Sequence, residues 1–233
     1  MQKQKINTYY EEEGKSLKKS DIDRYYRGIF RIVSTHGCRN RVIEKWLKAA
    51  KPTESFLDVG CEWGYHVRRM AKKGLKATGI DISATKVRKA KLIANKLHVD
   101  CDFLVQDAEK LEFADNSFDW VLCTETLEHL LNDQGAAQEL IRVAKKFIII
   151  SVPQKSIFWH FINRLAPVYG FNTRGAGHLR EYTVESLLDL FQGSTKILSI
   201  AQTGYLVSFF DRFLPNLSLF KSVICLRLRK KMT

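Results

Sequence analysis

The sequence predicts an α/β fold, a mostly parallel sheet with helices on both faces. Three observations carry this. Short apolar runs alternate with helix-length amphipathic segments over residues 55–152. The first run ends in a glycine-flanked turn, Phe56-Leu-Asp-Val-Gly-Cys-Glu-Trp-Gly64, that feeds a helix. The second ends in Gly79-Ile-Asp81, about 20 residues on, where a nucleotide-binding unit places the carboxylate that holds a ribose.

The elements follow in order. Residues 1–50 read as a helical N-terminal extension or lid, with apolar residues at helical spacing over 21–30 and 39–50. Tyr25 and Tyr26 are candidates to close over a ligand from it, and Lys51-Pro52 ends it. The domain proper, 51–233, begins with a strand at 55–59 and a helix at 63–73. A strand at 75–81, a helix at 83–97 capped by Ser83 and a strand at 101–106 come next. A strand at 119–124, a helix near 133–144 and a strand at 147–152 complete the alternation, which implies right-handed crossovers. The pattern then breaks. An aromatic cap insertion spans about 154–182, Thr183 caps a helix over 184–191, and two late strands fit 195–202 and 222–228.

Composition limits the function. The 233 residues are 45% hydrophobic and 27% charged, which suits one large packed domain. No uncharged apolar run reaches the roughly 18 residues of a spanning helix. The N-terminal residues lack the apolar core of a secretory leader, and five scattered cysteines form no Cys-x-x-Cys pair. These features point to a cytoplasmic protein with no metal expected. The net charge of +13 suits RNA, an anionic membrane or an anionic substrate, and equally suits solvated helix faces.

At six places the chain resembles the class I S-adenosylmethionine-dependent methyltransferases, in the branch that modifies quinones and other small molecules. The segments are Phe56 to Gly64, Gly79-Ile-Asp81, Gln106-Asp107-Ala108, Asn116 to His129, Ile150-Ser-Val-Pro153 and Gly177-His-Leu-Arg-Glu-Tyr-Thr183. Each alone is weak; six in order over about residues 50–200 are specific. The resemblance implies a Rossmann-like, seven-stranded sheet with an antiparallel last strand, and S-adenosyl-L-methionine as cofactor. It assigns cofactor contacts to Asp58, Gly60, Cys61, Gly64, Asp81, Ile82, Asp107, Ala108 and Thr124. One departure stands in the turn, where Glu62 replaces the usual middle glycine. Gly60 and Gly64 are expected to stay bare so that the ligand can approach the backbone.

Asp81, at a strand end, can accept both ribose hydroxyl hydrogens, and it can equally favour the start of the helix capped by Ser83. Asp58 is expected near the cofactor's amino-acid end, and Asp107 with Ala108 at the adenine. Methyl transfer needs alignment and a dry site, with a base only for a protonated acceptor. The candidate catalytic residues are Glu125, Glu128, His129, His178 and Tyr182, with Arg180 a candidate contact to the acceptor. No Asn/Asp-Pro-Pro-aromatic sequence follows the fourth strand, and no paired cysteines suit pyrimidine carbon-5 chemistry. The glycine spacing also fails that of a dinucleotide-binding dehydrogenase.

The acceptor is expected to be a small or lipid-linked molecule held by the cap, whose aromatics include Phe158, Trp159, Phe161, Tyr169 and Phe171. A second apolar cluster, Phe209, Phe210, Phe213, Leu214 and Phe220, has basic flanks at Arg212, Lys221 and the tail 227–231. That combination suits peripheral docking on an anionic membrane, and packing into the core explains the aromatics as well. Two other classes stay open: an RNA-modifying or RNA-binding protein, and a non-catalytic cofactor-binding subunit.

Overall fold

A computed structural model describes residues 3, 4, 8, 11, 35–155, 178–203 and 221–231. Helix α1 (Thr35–Leu47) precedes β1 (Ser55–Val59), α2 (Tyr65–Lys72), β2 (Lys76–Asp81), α3 (Ala84–Lys96) and β3 (Asp102–Val105). There follow β4 (Phe118–Thr124), a 3-10 turn (Leu127–His129), α4 (Asp133–Val143) and β5 (Ala144–Pro153). The chain then gives α5 (Val184–Asp189), β6 (Thr195–Thr203) and β7 (Val223–Lys230). The expected strands are all present within a few residues. The candidate lid tyrosines and both aromatic clusters lie outside the described residues.

The seven strands run in the order β3-β2-β1-β4-β5-β7-β6. Pairs among β1 to β5 are parallel, whereas β7 is antiparallel to both β5 and β6. This is the expected Rossmann-like sheet with an antiparallel last strand. The chain moves outward from β1 to β2 and β3, then returns to place β4 on β1's other side. That reversal opens a crevice beyond the carboxyl ends of β1 and β4.

Strand alternation builds one core on each face. Leu57, Val59, Val121 and Cys123 point into a cluster with Ala137 and Leu140 of α4 and Leu187 of α5. Phe56, Trp120 and Leu122 point into the other, with Ile43 and Leu47 of α1, Val67 of α2 and Ala90 of α3. Helix α1 is therefore part of the sheet's packing. The basic run at 227–231 is also integral to the sheet. Arg227 lies over the stacked rings of Trp120 and Phe147, and Lys230 donates to Asn116 Oδ1 and to the Arg142 carbonyl. No helix among the described residues is long and apolar enough to cross a membrane.

Candidate active site

The turn after β1 is held from both sides. The Ile80 carbonyl accepts from the N–H groups of Gly60 and Cys61, at 2.9 and 2.8 Å. Asp81 joins two loops: Oδ2 accepts from the Glu62 N–H at 3.0 Å and Oδ1 from the Ser83 N–H at 2.9 Å. Ser83 then caps α3 by accepting from Lys86 N–H. The carboxylate expected to face a ribose thus also fixes the turn. Ile82, beside it, is half-buried.

Gly60, Glu62 and Gly64 all adopt positive φ, at 74°, 47° and 69°. Packing within the protein also requires the glycines. A Cβ on Gly60 would fall 2.2 Å from Thr126 Oγ1, and one on Gly64 would fall 2.3 Å from the Phe103 ring. Protein atoms fill both spaces, so the turn is closed against β4 and β3 before any ligand arrives. Glu62 keeps the turn's left-handed backbone and sends its half-exposed carboxylate to Lys86 Nζ, 3.6 Å away.

Asp58 is buried beneath this turn, and its Oδ1 has no hydrogen-bond partner. Burial, then the charges of Glu62 and Asp81, push its carboxyl well above the usual range, and Arg39 opposes them. Burial and the same carboxylates also push the Cys61 thiol up, so it is no nucleophile. Arg39 was not singled out from the sequence. It is buried on α1 in line with Ile43, Trp46, Leu47 and Ala50, so an arginine at an apolar helical position was the available signal. Its Nη1 lies 3.7 Å from Glu125 Oε2.

Thr124 ends β4 opposite Ser151, and the chain then turns through Glu125 at φ 49°. The Glu125 carboxylate accepts from Ser151 Oγ at 3.1 Å. Glu128 follows, fully buried, with neither carboxylate oxygen hydrogen-bonded. Burial and the neighbouring Glu125 raise its pKa well above the ordinary value, against Arg39. His129 Nε2 stands 3.8 Å from Glu128 Oε1, and the His178 ring meets His129 edge-on at 4.8 Å. The Leu179 N–H donates to the Glu128 carbonyl, which brings the distant residue 178 here. Glu128, His129 and His178 each offer a ligand atom within 4.8 Å of the others and could hold a metal ion. Positions 128, 129 and 178 do not announce that grouping in sequence.

Two candidates prove to have holding roles. The Tyr182 hydroxyl donates to Asp133 Oδ2 at 2.8 Å, and burial together with that carboxylate pushes its ionisation far up, unlike a base. Arg180 pairs with Asp133 Oδ1 and donates to the Leu131 carbonyl, so it ties the segment to α4. On the other side, Asp107 Oδ1 accepts from Glu109 N–H, its Oδ2 pairs with Lys3, and Ala108 is buried next to it.

The fold is that of the class I S-adenosylmethionine-dependent methyltransferases, and in sequence the chain is similar to methyltransferases that act on small molecules. Residues 57–149 match the family model described as a methyltransferase domain. Among curated proteins, the ubiquinone biosynthesis O-methyltransferase of Hahella chejuensis is 33% identical over 141 residues, 60% of this chain and 55% of the relative. That of Coxiella burnetii is 31% identical over 123 residues, 53% of this chain and 50% of the relative. The chain thus matches about half the length of these curated relatives. Among solved structures, magnesium protoporphyrin IX methyltransferase of Synechocystis PCC 6803 with bound SAH superposes with a TM-score of 0.74. It is 17% identical, with 98% of this chain and 100% of that chain covered. The [4+2]-cyclase SpnF gives 0.64 at 19% identity, with 83% and 81% covered. Likeness at that level shows the fold alone.

Proposed function

We propose that the chain transfers a methyl group from S-adenosyl-L-methionine to an oxygen of a small, quinone-like acceptor. One convergence carries the reading. Beyond the carboxyl ends of β1 and β4, a buried carboxylate with an unpaired oxygen (Asp58) accompanies a histidine backed by a buried carboxylate (His129 and Glu128). The names of the curated relatives supply the acceptor class.

The residues fit the cofactor. Asp58 Oδ1 is an open acceptor for an ammonium group, and a carboxylate at the end of β2, as Asp81 is, suits ribose hydroxyls. Cys61, Ile82, Ala108 and Thr124 supply neighbouring surface, and Arg39 supplies a counter-charge to the site's carboxylates. When bound, the cofactor provides an activated methyl group on a sulfonium, so the protein's task is alignment and exclusion of water. His129 takes the proton of an acceptor hydroxyl, and Glu128 stands beside the ring, 3.8 Å from its Nε2. Glu125, held by Ser151 and facing Arg39, shapes the wall next to it.

The same trio favours a second reading, in which Glu128, His129 and His178 hold a divalent cation that acidifies the acceptor hydroxyl. Chelator treatment separates the two, since only the cation route is lost and then restored by added metal. The net charge of +13 supports extending the acceptor to lipid-linked quinones presented at an anionic membrane. Liposome sedimentation tests that extension, and complete absence from the pellet removes it.

The decisive experiment is incubation with methyl-labelled cofactor and fractionated cell extract. Label in a small or lipid-extractable phenol is expected, and His129→Ala should lower its incorporation about 100-fold or more. Label confined to RNA or protein, or cofactor binding with no turnover in any fraction, overturns the proposal.

A further inference from the structure

Glu109 has no part in the chemistry above, yet it joins two loops that do. It lies in the tight turn after β3, and its N–H donates to Asp107 Oδ1 at 3.0 Å. Its side chain is only 13% exposed and reaches across to the loop that follows His129. There Glu109 Oε1 accepts from the N–H groups of Leu131 and Asn132, at 3.0 and 3.2 Å. Its other oxygen pairs with Lys3. Leu131 is held from the opposite direction as well, because Arg180 Nη2 donates to its carbonyl at 3.2 Å. Arg180 belongs to the segment that brings His178 to His129, which the Leu179 N–H pins to the Glu128 carbonyl at 2.8 Å. The backbone of Leu131 is therefore gripped between the turn that carries Asp107 and the segment that carries His178.

We propose that Glu109 is a positioning residue for methyl transfer, one that couples the adenine wall at Asp107 to the placement of His129 through the backbone of Leu131. The role rests on the reading that Asp107 lines the cofactor and that His129 is the base.

A carboxylate suits this task. One oxygen carries two lone pairs and takes two backbone donors at once, in charge-assisted bonds that fix the loop. Asn132 is the cap of α4 and accepts from the Gly135 N–H at 2.9 Å, so its own N–H lies outside the helical ladder and Glu109 satisfies it. His129 ends a single 3-10 turn, in which its N–H donates to the Thr126 carbonyl and that of Leu130 to the Leu127 carbonyl. So short a turn has poor hydrogen-bond geometry and holds little by itself. The ring's placement then depends on what secures residues 130–132. Misplacing a reacting group by about 1 Å can cost on the order of 100-fold in rate. Both Glu109 oxygens are engaged by protein groups, so its loss should move turnover far more than cofactor affinity.

The test is amide hydrogen exchange of the full chain with and without S-adenosyl-L-methionine. In the wild type, bound cofactor should slow exchange of the Leu179 N–H, on the far side of Leu131, by about 10-fold or more. In Glu109→Ala that slowing should fall below about 2-fold, with cofactor affinity within about 3-fold of wild type. Glu109→Gln keeps an oxygen for the same two donors and should keep most of the slowing. Arg180→Ala, which frees the Leu131 carbonyl, should lose the slowing too and serves if Glu109→Ala does not fold. A purely structural loss would speed exchange with and without cofactor alike and leave the cofactor's effect intact. Methyl transfer into the lipid-extractable fraction of cell extract, at saturating cofactor, should drop about 10-fold in Glu109→Ala and stay within about 2-fold in Glu109→Gln. The same cofactor effect at Leu179 in the wild type and the variants, or none in any of them, overturns the positioning role alone. A folded wild-type chain that binds no cofactor overturns the site reading itself, and the positioning role with it.

Discussion

Thr126 occupies the space that a side chain on Gly60 would need: its Oγ1 would stand 2.2 Å from a Cβ built there. The same hydroxyl donates to the Thr124 carbonyl at 3.0 Å, so it cannot move aside without losing a bond made within the turn after β4. Gly60→Ala should therefore cost about 2–4 kcal/mol, from overpacking together with a left-handed backbone. Denaturant unfolding measures it. The double variant with Thr126→Ala should recover the steric part and keep about 1 kcal/mol of backbone cost. Equal instability of single and double variants would show that Thr126 is not the obstacle.

Glu62 makes the opposite case. It holds φ 47°, and its half-exposed carboxylate pairs with Lys86. Glu62→Gly should leave stability unchanged or raise it by up to about 1 kcal/mol, because the strained backbone outweighs a screened pair. Cofactor affinity by isothermal titration should be at least that of the wild type. A marked loss of affinity would make the Glu62 carboxylate a ligand contact.

Asp58 buries a carboxyl whose Oδ1 is unpaired, and burial with the charges of Glu62 and Asp81 raises the cost of ionising it. Asp58→Asn relieves that cost in the ligand-free chain, so its stability at pH 7 should match or exceed wild type. The price falls on binding, where loss of a charged acceptor for a cation should weaken cofactor affinity about 10- to 100-fold. Unchanged affinity would place the cofactor's cationic groups elsewhere.

His66 is fully buried on α2 with Nδ1 unpaired, and burial, then Arg39 and Arg69, lower its pKa from 6.5 to about 3. The folded chain keeps it neutral while the unfolded chain protonates it below about 6.5, so stability falls as pH falls through that window. At pH 5 the loss is about 2 kcal/mol, from roughly 1.36 kcal/mol per pH unit. Urea unfolding at pH 7 and pH 5 should show His66→Met losing about that much less than wild type. Equal losses would mean another group carries the acid sensitivity.

Much of the domain was legible in the residues themselves. Apolar runs, the glycine turn and the caps at Ser83 and Thr183 are local properties, so the strands, the helices between them and the acidic strand ends at Asp81 and Asp107 followed from short-range chemistry. Reach across the chain was not legible. Tyr182 and Arg180 looked free for an acceptor until Asp133, 49 and 47 positions earlier, proved to hold both. The basic tail looked available because sequence does not show that β7 lies between β5 and β6, with Arg227 against aromatic rings.

The sequence by itself determined the alternating sheet, the glycine turn and the acidic strand ends, because each is set by residues within a turn of one another, and the resemblance of those segments to a family implied the cofactor. Only the tertiary structure decided why Gly60 must be bare, that Arg39 stands among the site's carboxylates, and that His178 meets His129. Those are contacts between segments far apart in the chain. They exist because packing one helix or strand against another brings side chains together at spacings that no local pattern encodes.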